Sequence, residues 1–440
     1  MAMHRPRRSL ILLAALAAAV ATAPAANAAP AAPAAAPDVA EQKNMKLIAT
    51  NDLAGNGNLG EGFTEILTRD GRRILYAAHE SGPVCFSVLD VTRPNRPRLL
   101  LQENVPHDNT RCNSLDRNGD TLLVANQINN PEQPGGIAGV QVYDVSKATS
   151  PRHIGFFDTG GGQSRGTHYV WYAEPEFAYI STGMPDFESK RPGNDDQIFL
   201  ILDMSDRANP KEAGRWWWPG TRVGDKEPVP EPNPIDEGCR AHNTDVWPGE
   251  DIAYVGMIDC GLAVLDIRDK ADPKPIHLRD DSPPNDGFQH TLQPIDGGRH
   301  IVSSQESTED ACIDGDKRIR IWTARLRLVS TLPRAKNGDE LCDAGGRFGA
   351  HNIMERTPDE PTWFSEDVII GSFFNGGVRA YDISDRRRPR EIAYNIPAAP
   401  SGAPSGTIQI NDVYVDDRGV IFAGDRFTGG LHVLRSPVIH

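Results

Sequence analysis

The chain has 440 residues, with 46 basic and 60 acidic side chains and a net charge of −14. That length admits two or three ordinary domains unless an internal repeat joins them into one array. The acidity excludes broad binding to nucleic acid or anionic membranes, which needs clustered Lys and Arg.

Taken in chain order, Arg5, Arg7 and Arg8 precede the apolar run LILLAALAAAVA and the small-residue site Ala26-Asn27-Ala28. Charged, apolar and small-residue segments in this order predict a secretory signal peptide over residues 1–28. The run is shorter than the ~20 residues of a membrane span, and no second run of that kind follows, so no transmembrane segment is expected in the mature chain. Arg7-Arg8 also loosely fits a twin-arginine export signal. Either route makes the protein secreted, cell-surface or periplasmic. Residues 29–44 read as an Ala/Pro-rich linker, and residues 45–440 as a single domain.

That domain is organised by one phrase. GLAVLDIRDKADPKP at 261–275 ends an apolar strand in Asp266, turns, and starts the next strand after Pro273. It recurs around Asp90, Asp144, Asp203 and Asp382, each with a proline seven residues later. Degenerate copies surround Thr323 and Arg435. Short β-branched runs broken by Gly, Pro, Asn and Asp predict antiparallel four-stranded units. The aspartate suits a local turn, and the proline suits an outermost strand, where a missing N–H breaks no ladder bond. The seventh unit lacks an outer strand of its own. MKLIATNDL at 45–53 reads like the other outer strands, so an N-terminal strand is expected to pair onto the last unit and remove the open edge.

The phrases AVLDI, QVYDV, LILDM and RAYDI resemble the LVIVD-repeat proteins, and the resemblance spans residues 45–440. It implies an all-β fold, here a seven-bladed β-propeller, in a mostly secreted family. A more distant similarity is to selenium-binding proteins, including bacterial methanethiol oxidases, which are propellers with histidine-lined metal sites.

Aligning the inner segments brings His168, His242, His290 and His351 into one register, with Cys112 and Asn411 at that position in two other units and Gly62 or Phe63 in the first. Inner strands start at one channel mouth, so these imidazoles are candidate ligands for copper, iron or zinc, with His79, His107 and Glu306 as candidate completions. The competing reading is structural, because a duplicated repeat inherits histidines that bond to a neighbouring blade. Arg111, Arg165, Arg240 and Arg347 stand just ahead of the same positions. With Glu306 they form a candidate ligand-binding rim suited to a small carboxylate, phosphate or sulfated compound. Internal ion pairs with Glu80, Asp259, Glu306 and Asp425 are the alternative use.

Six cysteines in an exported chain favour disulfides. Blade geometry brings all of them to one face and suggests Cys85–Cys112, Cys239–Cys260 and Cys312–Cys342. DGDKR at Asp314 and DDRG at Asp416 suit hairpin turns better than calcium loops. Trp216-Trp217-Trp218 and the Pro-rich stretch to Pro234 read as an outer strand leading into a long loop over one face. No metalloprotease, serine-hydrolase or nucleotide motif occurs. The functional expectation is a monomeric exported binding propeller, using a His/Arg-lined channel mouth to hold a small molecule, glycan or extracellular protein. The alternative is a copper- or iron-dependent oxidoreductase acting on a small compound.

Overall fold

The structure, a computed structural model, describes residues 39–191, 198–230, 238–247, 249–280, 287–357 and 361–439. The signal peptide, most of the linker and the last part of the Pro-rich stretch after Trp218 lie outside these residues. Almost everything described is strand or turn, arranged as seven antiparallel sheets. No helix among the described residues is long and apolar enough to cross a membrane.

Blades 1, 3, 4 and 5 each take four consecutive strands. Blade 1 runs Leu59–Leu67, Arg73–His79, Val84–Asp90 and Arg98–Asn104. Blade 3 runs Thr167–Glu174, Phe177–Thr182, Ile198–Asp203 and Lys211–Trp216. Blade 4 has Thr244–Val246, Ile252–Gly256, Leu262–Asp266 and Lys274–Arg279, and blade 5 has Gln289–Ile295, His300–Gln305, Ile319–Thr323 and Leu328–Thr331. In blade 2 the innermost strand is split into Thr110–Arg111 and Leu115–Asn118 beside Thr121–Ile128, Gly139–Asp144 and Arg152–Asp158.

The chain ends modify blades 6 and 7. Lys46–Asn51 lies along Leu431–Arg435, outside Val420–Asp425 and Ile410–Val415 in blade 7. Blade 6 contains Val368–Ser372, Val378–Asp382 and Arg390–Pro397, and Val39–Lys43 adds to its outer edge. The ordered domain therefore begins earlier than the expected boundary at Met45, and part of the predicted linker is strand. Residues 40–44 are exposed, so no apolar alternation marks them. Backbone pairing and polar contacts hold them, such as Gln42 Oε1 accepting from Asn395 Nδ2 at 3.2 Å.

The repeated aspartate makes the turn its chemistry requires. In five blades one carboxylate oxygen accepts from the backbone N–H two residues on: Asp90 from Thr92, Asp144 from Ser146, Asp203 from Ser205, Asp266 from Arg268 and Asp382 from Ser384, at 2.9–3.1 Å. Asp314 and Asp416 likewise accept from nearby backbone N–H groups, Thr308 at 2.7 Å and Arg418 at 2.8 Å. Neighbouring blades are tied by buried side chains. Tyr76 donates its hydroxyl to Ala148 O at 2.7 Å, and Trp171 Nε1 donates to Val246 O at 2.7 Å. Trp216 and Trp218 are buried in the core between blades 3 and 4, and Trp217 packs edge-on against Phe187. All three tryptophans are thus used in packing.

Three disulfides, Cys85–Cys112, Cys239–Cys260 and Cys312–Cys342, cross-link the chain. Cys112 is thereby removed from any ligand role despite its register with the histidines. Because the turn aspartates act through one backbone hydrogen bond each, Asp203→Ala should lower the unfolding free energy by about 1 kcal/mol. Urea unfolding reads this directly, and an unchanged midpoint and slope would show that the turn holds without its aspartate.

Candidate metal centre

Two glycine approaches set the geometry at the axis. In Gly60-Glu61-Gly62 a Cβ at position 60 would lie 2.5 Å from Asn113 O, and one at position 62 would lie 2.5 Å from Leu115 N. Only glycine lets blade 1 lie this close to blade 2. Pairing is irregular between Leu59 and Phe63, and the bulge sends Glu61 into the channel. Gly256 serves blade 5 in the same way, since a Cβ there would stand 2.1 Å from His290 O.

Against this frame the four histidines form an arc on consecutive blades. His168 and His290 lie within inner strands. His242 stands just ahead of Thr244–Val246, and His351 lies in the irregular inner segment that bridges to Gly371 through Ile353. Successive ring centroids are 4.4, 3.8 and 4.5 Å apart. All four are buried, none more than 6% exposed. Phe374 stacks on His351 at 4.8 Å, shielding the end of the row.

Three of these rings are held by Nδ1. His351 Nδ1 donates to Asn411 O at 2.5 Å, and His290 Nδ1 meets Thr291 Oγ1 at 3.0 Å. His242 Nδ1 faces Asn243 Oδ1 at 2.8 Å. The Asn243 amide orientation follows from its other contact, Nδ2 donating to Glu355 Oε1 at 2.6 Å. An N–H fixed at Nδ1 leaves the lone pair on Nε2. Those Nε2 atoms point at two buried carboxylates. Glu61 lies 4.0, 3.5 and 3.6 Å from His242, His290 and His351, and Glu306 lies 3.8 and 3.6 Å from His290 and His351. These separations exceed a formed N–H···O bond. Nε2 of His290 and His351, together with Glu61 Oε2, are buried without a hydrogen bond.

Three overlapping sets, Glu61/His168/His242, Glu61/His290/His351 and His242/His290/Glu306, each bring ligand atoms within 4.8 Å of one another. Burial disfavours ionisation of Glu61, but the facing His290 and His351 hold its carboxyl well below the usual range. Burial also opposes ionisation of Glu306, yet the charges of His351, His290 and Arg347 hold it down at about 2. Burial pushes His168, His242 and His290 down, so these rings are neutral at pH 7. Burial acts on His351 too, but its two carboxylate neighbours outweigh it and raise this ring.

Other candidates lie elsewhere or in different roles. His79 is fixed between Asn58 Oδ1 and Ser87 Oγ at 2.7 and 2.8 Å, and His107 accepts from Asn109 N at 3.0 Å. Neither enters the sets that gather at the axis. Arg165 lies on the carbonyl oxygens of Ile128 and Asn129. Arg111 reaches the centre, with Nη2 3.1 Å from His168 Nδ1 and Nη1 donating to Glu80 at 2.9 Å. Arg347 donates to Glu306 at 3.0 Å. Asp425 accepts from the backbone N–H groups of Gln409, Phe427 and Gly429, a turn role. Two site residues escaped sequence reasoning. Glu61 was hidden by the bulge, and Arg426, which donates to the same Glu80 oxygen at 2.9 Å, follows a second strand instead of preceding an inner one.

No curated protein matches this sequence. The LVIVD repeat family matches residues 242–276, from His242 through Asp266 into the outer strand of blade 4. The chain is a seven-bladed β-propeller that carries an LVIVD repeat. Among solved structures, the LVIVD propeller is similar to U3-55K, with a TM-score of 0.54 and 9% identity over 91% of this chain and 99% of that one. It is also similar to the periplasmic gluconolactonase PpgL of Pseudomonas aeruginosa, with a TM-score of 0.52 and 12% identity over 84% and 94% of the two chains. At these identities the likeness is one of fold.

Further along its channel the LVIVD propeller carries a second polar group of a different kind. A cavity of about 40 Å³ is lined by Glu61, Asp116, Tyr169, Glu355 and Asp412 among others. Tyr169 donates its hydroxyl to Glu355 at 2.6 Å, and Asp245 neighbours Glu355. Burial and mutual repulsion raise the carboxyls of Asp245, Glu355 and Asp412, and burial pushes Asp116 up to about 7. A carboxyl raised in the fold keeps a proton that the unfolded chain releases. Its contribution to stability is therefore lost as pH rises from about 4 to 7 and stays lost above that. Asp116→Asn should flatten the fall in stability between pH 5 and pH 8 by a few kcal/mol, on the order of 1–4. Chemical unfolding at the two pH values measures this, and an unchanged slope would show that Asp116 is ionised throughout.

Proposed function

We propose that this LVIVD-repeat propeller is an exported binding module whose channel mouth holds a transition-metal ion. His242, His290, His351 and Glu61 supply the core of the donor set, with His168 and Glu306 completing it. The observation that carries the reading is the group of buried orphan atoms: Nε2 of His290 and His351 and Glu61 Oε2 face one another without hydrogen bonds. Leaving such atoms unpaired costs on the order of 1–3 kcal/mol each, and a cation would satisfy all of them at once. The Nδ1 contacts to Asn243, Thr291 and Asn411 are the outer partners that ligating imidazoles require. The mixed imidazole and carboxylate set suits zinc, copper or iron. A bound ion would act as a Lewis acid toward whatever enters the mouth. Export agrees with three disulfides, which persist in oxidising compartments.

The test is metal analysis of the purified chain after reconstitution with zinc and extensive dialysis. About one ion per chain is expected, as in a closed protein site. Asn243→Ala, which removes the acceptor that orients His242, should weaken zinc binding by about 10–100-fold, and Glu61→Gln should weaken it further. A wild-type protein that retains no metal would remove the reading.

A further inference from the structure

We propose that a compact oxyanion, the head group of a small carboxylate, phosphate or sulfonate compound, binds at the mouth on Arg240, with Arg111 beside it. The inference deepens the metal-centre reading, on which it rests for what the bound head group would reach.

The guanidiniums around the mouth are unevenly matched. Arg347 is matched by Glu306, with Nη1 3.0 Å from Oε1. Arg111 and Arg426 both bind one oxygen, Glu80 Oε1, at 2.9 Å each. One Glu80 carboxylate serves two guanidiniums there, with ionised Glu61 a further carboxylate acting on Arg426. Arg240 stands apart from these pairs. It is half-buried and lies 5.9 Å from the Phe288 ring centroid, and its Nε is buried without a hydrogen bond. Among the described residues it has no carboxylate partner.

Arg111 and Arg240 stand at the same end of the histidine row. Arg111 Nη2 is 3.1 Å from His168 Nδ1, and Arg240 lies over Phe288, whose ring stands 6.4 Å from His242, the imidazole next to His168 in the row. Arg111 spends most of its donors on Gln127, Glu80 and His168, so it contributes charge more than new bonds. Among the described residues the donor fork of Arg240 is uncommitted, which is the form guanidinium takes for bidentate recognition of a planar or tetrahedral oxyanion. In a chain whose net charge is −14, an uncommitted guanidinium at the mouth is the feature that favours an anionic visitor. A metal ion in the adjacent donor set would strengthen the attraction.

The experiment titrates inorganic phosphate into zinc-loaded and chelator-stripped protein by calorimetry, with chloride holding ionic strength constant. Saturable binding is expected in both forms, tighter with zinc. Arg240→Gln should weaken it about tenfold or more, the worth of a charge-assisted hydrogen bond. Arg240→Lys, which keeps the charge and loses the fork, should fall between. Arg152→Gln, an exposed change on the outer edge of blade 2, should bind as wild type does. Wild-type phosphate affinity in an Arg240→Gln protein with an unchanged melting temperature would overturn the proposal, and so would absence of saturable binding in both wild-type forms. Phosphate binding through Arg240 without zinc uptake would remove the metal reading alone. Zinc uptake with phosphate affinity indifferent to Arg240 would remove the anion site alone.

Discussion

A buried imidazole nitrogen with no partner is a destabilising arrangement, and this propeller places two of them, on His290 and His351, against a carboxylate oxygen in the same condition. The rest of the centre is arranged around that confrontation. Backbone and side-chain acceptors fix the Nδ1 side of the rings, Phe374 covers one end, and the glycines of blade 1 let Glu61 reach the axis. Each of these devices narrows the freedom of the rings to turn away and find another bond. A site held this firmly keeps its unpaired atoms in place, as the proposed metal ligation requires.

Closure of the blades makes the confrontation possible. The four histidines are far apart in sequence, yet their inner segments lie on consecutive blades and meet at one axis. Along that axis the electrostatics change character. The mouth pairs imidazoles and guanidiniums with ionised glutamates, whereas the cavity beyond Glu61 collects carboxyl groups raised by burial and by one another. Tyr169, Glu355 and Asn243 form a hydrogen-bonded path from that cavity to His242. The two polar regions are therefore mechanically joined, since the contact that orients a mouth histidine ends on a carboxyl of the cavity.

The fold was legible because the Asp-turn-Pro phrase carries its own chemistry, a side-chain acceptor for the turn and a residue tolerated on an outer edge. Used as a ruler, it also aligned His168, His242, His290 and His351, which the structure brings into one arc. What the ruler missed departs from the repeat. Glu61 sits on a bulge, one residue off the aligned position, and no periodicity reports a bulge. Arg426 belongs to the mouth through a different loop. Val39–Lys43 pairs through its backbone and residues 40–43 are exposed, so alternation of apolar residues had nothing to reveal. His79 and His107, attractive as residue types, are engaged by local partners that only coordinates display.

The central claim is that the unpaired nitrogens and carboxylate oxygen converge on one cation. Anomalous diffraction from crystals of the zinc-reconstituted chain, collected on both sides of the zinc absorption edge, tests it most directly. The account predicts a single strong peak at about 2.0–2.2 Å from the Nε2 atoms and Glu61. A channel without anomalous density, with Glu61 turned onto a protein hydrogen bond, would contradict it.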